Sequence, residues 1–287
     1  MNPDRYAVIG HPVAHSRSPV IHAAFARQTG QALVYESLLA PLDGFAATVK
    51  SFATRRESPG LGCNVTVPFK FEAWELAQRR TERALLAGAA NTLCFGTEQA
   101  GQGWLADNTD GVGLQRDIEH NACRPLAGLR VLLVGAGGAA AGVLGPLLAA
   151  HPSKLVLANR TAEKAQALVS SHAAWAALHG ATLSAAPLGA PGEGYDIVIN
   201  ASASSLHGAA SPVSARVLGA GALAVDLMYG GAAEPFLAWA RTHGAEARDG
   251  LGMLVEQAAE AFLLWRGVRP LTAPVLSALR AEMDVPR

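Results

Sequence analysis

Leu129-Arg130-Val131-Leu132-Leu133-Val134-Gly135-Ala136-Gly137-Gly138-Ala139-Ala140 is the stretch that decides the fold. A short run of Val and Leu reads as a buried strand, and the glycines that break it open a small-residue helix. The result is a G-x-G-x-x-A pattern with a strand before it and a helix after it. In that setting the glycines permit a tight turn and a close backbone approach to a pyrophosphate at the helix N-terminus. Val131 to Ala150 carries no charge and is long enough to span a bilayer, roughly 20 residues. Its glycines and Pro146 fit a strand, a turn and a helix better than one membrane helix.

Downstream, Lys154 to Ala158 is a second strand, and it ends in Asn159-Arg160-Thr161 where an NAD site would place an acid for the ribose hydroxyl. Arg160 can fork two hydrogen bonds onto a 2′-phosphate, so NADP is favoured over NAD. Further strands are expected at Thr182 to Pro187, Tyr195 to Asn200, Leu223 to Asp226 and Ala245 to Ala247. About six parallel strands with intervening helices make a Rossmann-type, doubly wound sheet over residues 113–248. Two last helices, Leu254 to Trp265 and Ala273 to Met283, have no strand after them. They are expected to return to a first domain, discontinuous in sequence (residues 1–112 and 249–287), which would face the second across a cleft.

Upstream, strands alternate with helices, so this first domain is also α/β. Tyr6 to Gly10 and Leu33 to Leu39 read as strands, Pro41 to Phe52 as a helix, and Lys70 to about Leu86 as one helix. Gly88 to Phe95 and Gly101 to Asp107 read as two more strands. In Gly62-Cys63-Asn64-Val65-Thr66-Val67-Pro68-Phe69-Lys70 the period-two pattern is a strand that Pro68 ends. Asn64, Thr66 and Lys70 thus stand at or just past a strand's carboxyl end, where ligands bind in open α/β sheets. In His15-Ser16-Arg17-Ser18-Pro19, Ser18 reads as an N-cap with proline at the first helical position. Ser16 has no such role, and two hydroxyls beside free amides at a helix start suit a carboxylate.

Composition excludes several classes. Lys+Arg and Asp+Glu both number 23 in 287 residues, which leaves no positive excess for a nucleic acid backbone. Half the residues are hydrophobic and 16% are charged, the balance of a well-buried globular protein. Cys63, Cys94 and Cys123 are odd in number and widely spaced, and no His/Cys cluster has metal-ligand spacing. They read as reduced thiols, and with no signal-peptide pattern at Met1 to Tyr6 the expected location is cytoplasmic. A nicotinamide site without metal ligands implies hydride transfer assisted by a protein acid/base, for which Lys70 is the candidate; Asp110 as a neighbour would hold its ammonium in place.

Several motifs in order carry a family resemblance. Gly10-His11-Pro12-x-x-His15-Ser16-x-Ser18-Pro19, Asn64-Val65-Thr66-x-Pro68-Phe69-Lys70, Gly88-Ala89-Ala90-Asn91-Thr92 and Asn108-Thr109-Asp110-Gly111 resemble shikimate dehydrogenase. So do Gly135 to Ala140, Asn159-Arg160-Thr161 and Gly252-Met253-Leu254-x-x-Gln257-Ala258-x-x-x-Phe262. The resemblance implies NADP-dependent interconversion of 3-dehydroshikimate and shikimate, in aromatic amino-acid biosynthesis, by a monomer or homodimer whose ligands are small molecules. It implies Lys70 and Asp110 as the catalytic pair, Ser16, Ser18 and Tyr229 at the substrate carboxylate, and Asn64, Thr66, Asn91 and Gln257 at the ring hydroxyls. It implies cofactor contacts from Gly135, Ala136, Gly137, Gly138 and Ala139, from Asn159, Arg160 and Thr161, and from Gly252 and Met253. This chain departs from the family pattern at Gly231 and Glu234, and at Ala203, Ser205 and Leu206. The alternatives are a quinate/shikimate dehydrogenase using NAD and a non-catalytic NADP-binding regulator.

Overall fold

The computed structural model describes residues 3–96, 103–202 and 211–283, so Ala203, Ser205 and Leu206 lie outside the described residues. The chain forms two compact units, Met1–Gly113 with Leu254–Arg287, and Leu114–Met253. The first unit runs β1 (Asp4–Gly10), α1 (Ser18–Thr29), β2 (Leu33–Leu39), α2 (Phe45–Ala53), β3 (Gly60–Val65) and α3 (Lys70–Leu76). It continues through β4 (Arg79–Arg80), α4 (Glu82–Ala87), β5 (Thr92–Cys94), β6 (Leu105–Asp107) and the start of α5 (Asp110–Arg116).

Its six strands lie in the order β2-β1-β3-β5-β6-β4. β1 is parallel to β2 and β3, while β5 is antiparallel to β3 and β6. The apolar run of β1 is continuous because both faces are covered. Ala7 and Ile9 pack with Phe45 and Phe52 on one side, and Tyr6 packs with Cys94, Leu105 and Trp265 on the other. Fully burying each of those phenylalanines contributes about 1.5–3 kcal/mol. Trp265 stacks on Tyr6 at 4.7 Å and donates to Leu93 O at 3.1 Å, which seats the helix that carries it, α9 (Leu251–Arg266), against β5. α10 (Ala273–Met283) follows.

Four local expectations change. The helix expected over Lys70 to Leu86 is two short helices with β4 between them, because Arg79 and Arg80 pair with Leu105 and Ala106. Thr81 then caps α4, accepting from Ala84 N at 3.3 Å. β5 starts only at Thr92, since Gly88 closes α4 in the left-handed conformation at φ 59°. α2 starts at Phe45, after the turn in which Gly44 N donates to Pro41 O at 3.0 Å. Ser18 is the first helical residue and not the cap: Arg17 occupies that position, and Ser16 Oγ accepts from Ser18 N at 3.3 Å. Ser16 thus makes a local contact with the helix start that the sequence did not suggest.

The second unit holds β7 (Arg130–Val134), α6 (Gly138–Ala149), β8 (Lys154–Asn159), α7 (Ala162–Leu178), β9 (Thr182–Pro187) and β10 (Tyr195–Asn200). After these come β11 (Leu218–Asp226), α8 (Glu234–Thr242) and β12 (Glu246–Arg248). All six strands are parallel, in the order β12-β11-β10-β7-β8-β9, a Rossmann-type sheet. Alternate residues of β7 feed two cores: Val131 and Leu133 pack with Val143, Leu144 and Leu147 of α6, and Leu132 and Val134 with Val198 and Phe236. Among the described residues no helix is long and apolar enough to cross a membrane, and no three His, Cys, Asp or Glu side chains group to hold a metal. All three cysteines are free, Cys63 and Cys94 buried and Cys123 exposed.

Candidate active site

β3 ends at Val65, and the chain turns through Thr66 to Phe69 before α3 begins at Lys70. A cation in a helix's first turn is opposed by the macrodipole, by about 0.3–1 kcal/mol. Lys70 is held there because Nζ donates to Asp110 Oδ2 at 2.5 Å, with only 14% and 6% of the two side chains exposed. Asp110, by contrast, opens α5, where the same dipole favours a carboxylate. Its backbone N–H donates to Asn108 Oδ1 at 3.2 Å, and Asn108 Nδ2 donates to Ala89 O at 3.0 Å. The turn that presents Asp110 is fixed from both ends.

Asn91 is the hub of this site. Its Nδ2 lies 2.9 Å from Asp110 Oδ1, 3.0 Å from Gln257 Oε1 and 2.9 Å from Thr109 Oγ1. An amide has two protons. With those directed at Asp110 and Gln257, the Thr109 hydroxyl becomes a donor, to Gln257 Oε1 or Asn91 Oδ1, each at 3.2 Å. Asn91 Oδ1 also accepts from Thr109 N and Thr92 Oγ1, both at 2.9 Å. Gln257 Nε2 donates to Leu254 O at 3.1 Å. Asn91 thus links the Asp110 carboxylate to Gln257, a residue 166 positions away in sequence.

Asn64 adjoins this network. Its Nδ2 donates to Thr92 Oγ1 at 3.0 Å and to Asn91 O at 3.3 Å, and its Oδ1 accepts from the Tyr35 phenol at 2.7 Å. Burial, reinforced by the nearby Cys63 thiol, pushes the Tyr35 phenol well above its usual range, while the Ser18 hydroxyl beside it acts the other way. Tyr35 stays neutral, serves as donor, and leaves the second lone pair of Asn64 Oδ1 as that amide's open capacity. His22 lies 4.2 Å from Tyr35 in a parallel stack, fully buried, with neither ring nitrogen partnered among the described residues. Burial pulls it down to about 3, with Asn64 nearby acting the other way. Thr66 is half-buried just past the strand, its N–H donating to Ile9 O at 3.0 Å.

In the second unit Gly135 takes φ 113°, and a Cβ there would stand 2.9 Å from the Ala201 backbone. Its N–H is bound to Ala158 O at 2.8 Å. Gly137, at φ −93°, has open space where a Cβ would be and precedes α6, whose first turn receives no side-chain cap. Those uncapped N–H groups fit a pyrophosphate. Asn159 Nδ2 donates to Thr161 O at 2.9 Å and closes the turn after β8. Arg160 is exposed between them, and among the described residues it makes no ion pair, which fits a 2′-phosphate. A Cβ on Gly252 would lie 1.8 Å from Asp117 Oδ1. Asp117 is itself buried and forked by Arg248 at 2.6 and 2.7 Å. Gly252 is therefore glycine for packing as well as for any ligand, and Met253 is buried in the core. Tyr229 is half-buried ahead of the short turn Gly230–Ala232. Glu234 opens α8 and pairs with Arg241 at 2.8 Å.

The expectations missed Tyr35, Thr92 and Thr109 as orienting groups. Thr92 and Thr109 lie inside the motifs quoted above, but Tyr35 sits in an ordinary strand pattern, and only its contact with Asn64 marks it.

Three family models match the chain: the shikimate dehydrogenase substrate binding domain over residues 8–93, shikimate / quinate 5-dehydrogenase over 117–211, and the shikimate 5'-dehydrogenase C-terminal domain over 250–280. A shikimate dehydrogenase (NADP(+)) of Methylibium petroleiphilum is 63% identical over 284 residues, covering 98% of this chain and 95% of that protein. Among crystal structures, an Ael1 enzyme from Pseudomonas putida aligns with a TM-score of 0.85 at 48% identity, covering 99% of both chains. The shikimate 5-dehydrogenase of Thermus thermophilus, in complex with NADP(H) and shikimate, aligns with a TM-score of 0.81 at 30% identity, covering 97% of this chain and 99% of the other.

Proposed function

The chain belongs to the shikimate dehydrogenase family, and on that premise we propose that it interconverts 3-dehydroshikimate and shikimate with NADP, Lys70 and Asp110 acting as the acid/base pair. The observation that carries the residue assignment is the 2.5 Å contact between Lys70 Nζ and Asp110 Oδ2, largely shielded from water. Oxidising an alcohol requires removal of its hydroxyl proton, and reducing the ketone requires its return. Lys70 Nζ does both, a contribution of about 10²–10⁴-fold. Asp110 holds Nζ through Oδ2 while Asn91 fixes Oδ1, so the pair has one geometry before substrate arrives.

Asn64, Thr66, Asn91 and Gln257 take the ring hydroxyls, and Ser16 and Ser18 take the substrate carboxylate at the start of α1, where an anion is favoured. When bound, NADP supplies the hydride acceptor of the oxidation and the donor of the reduction. Gly135 to Ala139 hold its pyrophosphate, Arg160 with Asn159 and Thr161 its 2′-phosphate, and the backbone at Gly252 and Met253 completes the site. The same reading takes the enzyme to be a cytoplasmic monomer or homodimer, which light scattering and cell fractionation would decide.

The test is spectrophotometric: shikimate with NADP⁺ should yield NADPH. Strong turnover of quinate with NAD⁺ would replace this reading with the broader dehydrogenase, and cofactor binding without NADPH formation would replace it with a regulator.

A further inference from the structure

In the first unit a buried carboxylate stands close to each of two groups that the proposed reaction uses. Asp107 immediately precedes Asn108-Thr109-Asp110, and Glu256 immediately precedes Gln257; they are 0% and 2% exposed. Carboxylates so buried need ionic partners. Arg83 forks Asp107, Nε to Oδ1 at 2.6 Å and Nη2 to Oδ2 at 2.5 Å. Its remaining edge, Nη1, donates to Glu260 Oε1 at 2.8 Å. Glu260 Oε2 accepts from Arg269 Nη1 at 2.5 Å, and Arg269 Nη2 reaches Glu256 Oε2 at 3.4 Å.

The ends of this ion chain coincide with the ends of the amide network. Asp107 Oδ1 accepts from Asn108 N at 2.7 Å, which sets the turn carrying Asp110, and Asp107 O accepts from Asn91 N at 3.1 Å. Glu256 and Glu260 lie on the helix that carries Gln257, whose Oε1 meets Asn91 Nδ2. We infer that Asp107–Arg83–Glu260–Arg269–Glu256 is a positioning chain that sets where Asp110 and Gln257 stand relative to Asn91. It rests on the function proposed above, and its members act through Asp110 and Gln257 without touching substrate. Only a guanidinium can serve at position 83, since a lysine ammonium is a point donor and cannot fork one carboxylate while binding another. Burial disfavours the charge on Arg83, yet its hydrogen bonds to Asp107 and Glu260 outweigh that and raise it above its ordinary value. Burial would raise Glu260, but Arg83 and Arg269 lower it overall, so Arg83 and Glu260 remain an ion pair.

Arg83→Lys keeps the charge and removes the fork. It should lower kcat/KM for shikimate about tenfold with KM for NADP⁺ and the circular dichroism unchanged. Glu256→Gln, nearly isosteric at the far end, should raise KM for shikimate about threefold and leave kcat alone, and it decides the matter if Arg83→Lys does not fold. A merely structural role would lower the unfolding temperature and leave the constants of the folded protein intact. Wild-type values of kcat and KM in both variants, with the parent enzyme active, overturn this inference alone. A wild-type protein that does not oxidise shikimate overturns the functional reading and this inference with it.

Discussion

Around Asn91 nearly every amide proton and carbonyl lone pair has a partner inside the protein, whereas at Gly135–Ala140 the backbone donors of α6 lack a side-chain cap and, after the next strand, Arg160 has no acidic partner among the described residues. The difference fits the role proposed for each region. A proton-transfer site must hold its groups in place before the substrate arrives, because reorganisation at the moment of reaction raises the barrier. An anion-binding site works by leaving donors open for the anion to satisfy.

Lys70→Ala is the severest way to break this contrast. It should lower kcat about 10²-fold or more with little change in KM, measured by steady-state kinetics with shikimate. An unchanged kcat would remove Lys70 from the mechanism and leave the wiring around Asp110 without a purpose.

The two glycines of the loop sharpen the contrast from the other side. Gly135→Ala forces a side chain into φ 113° against the Ala201 backbone and should cost about 1–3 kcal/mol of stability by denaturant unfolding. Gly137→Ala, at φ −93° with open space, should stay within about 0.5 kcal/mol of wild type yet raise KM for NADP⁺. Equal losses of stability would mean that Gly137 is there for packing and not for a ligand. Arg160→Ala should weaken NADP⁺ about tenfold and NAD⁺ hardly at all, since it removes a charge-assisted contact to the 2′-phosphate alone. Equal weakening would separate Arg160 from that phosphate.

The smallest expected effect concerns His22, the ring stacked on Tyr35 whose nitrogens have no partner among the described residues. His22 has a folded-state pKa of about 3, below its ordinary 6.5, so the unfolded chain binds a proton that the folded chain refuses. Stability is fully present above 6.5 and is lost as pH falls toward 3. Between pH 6.5 and about 5.5 the loss attributable to His22 is about 1 kcal/mol. Chemical denaturation across that range should show this dependence in the wild type and lack it in His22→Leu, whatever the variant's absolute stability.

Much of this was legible in the linear chain. Val and Leu in unbroken runs gave the parallel strands of the second unit, because a strand covered on both faces needs apolar residues throughout. The turn at Asn159-Arg160-Thr161 could be placed because the apolar run of β8 stops at Asn159, and the phosphate contact proposed for it rests on its offset from that strand. The single helix expected from Lys70 to Leu86 failed for the opposite reason. Its apolar pattern is compatible with a helix, but pairing of Arg79 and Arg80 with β6, a strand at Leu105–Asp107, outweighed local preference. Ser18 is not the cap because the cap position shifts by one residue, to Arg17, with the geometry of the incoming turn.

By itself, then, the sequence determined which segments are strands buried on both faces, where a dinucleotide loop stands, and which polar residues end strands. Family resemblance joined Lys70 to Asp110. Only the tertiary structure decided that Asn91 ties Asp110 to Gln257, that Tyr35 orients Asn64, and that Asp117 leaves no room for a side chain at Gly252. Periodicity fixes the face on which a side chain lies. Its partner across a sheet or on a returning helix depends on register and packing between segments distant in sequence, which no local pattern encodes.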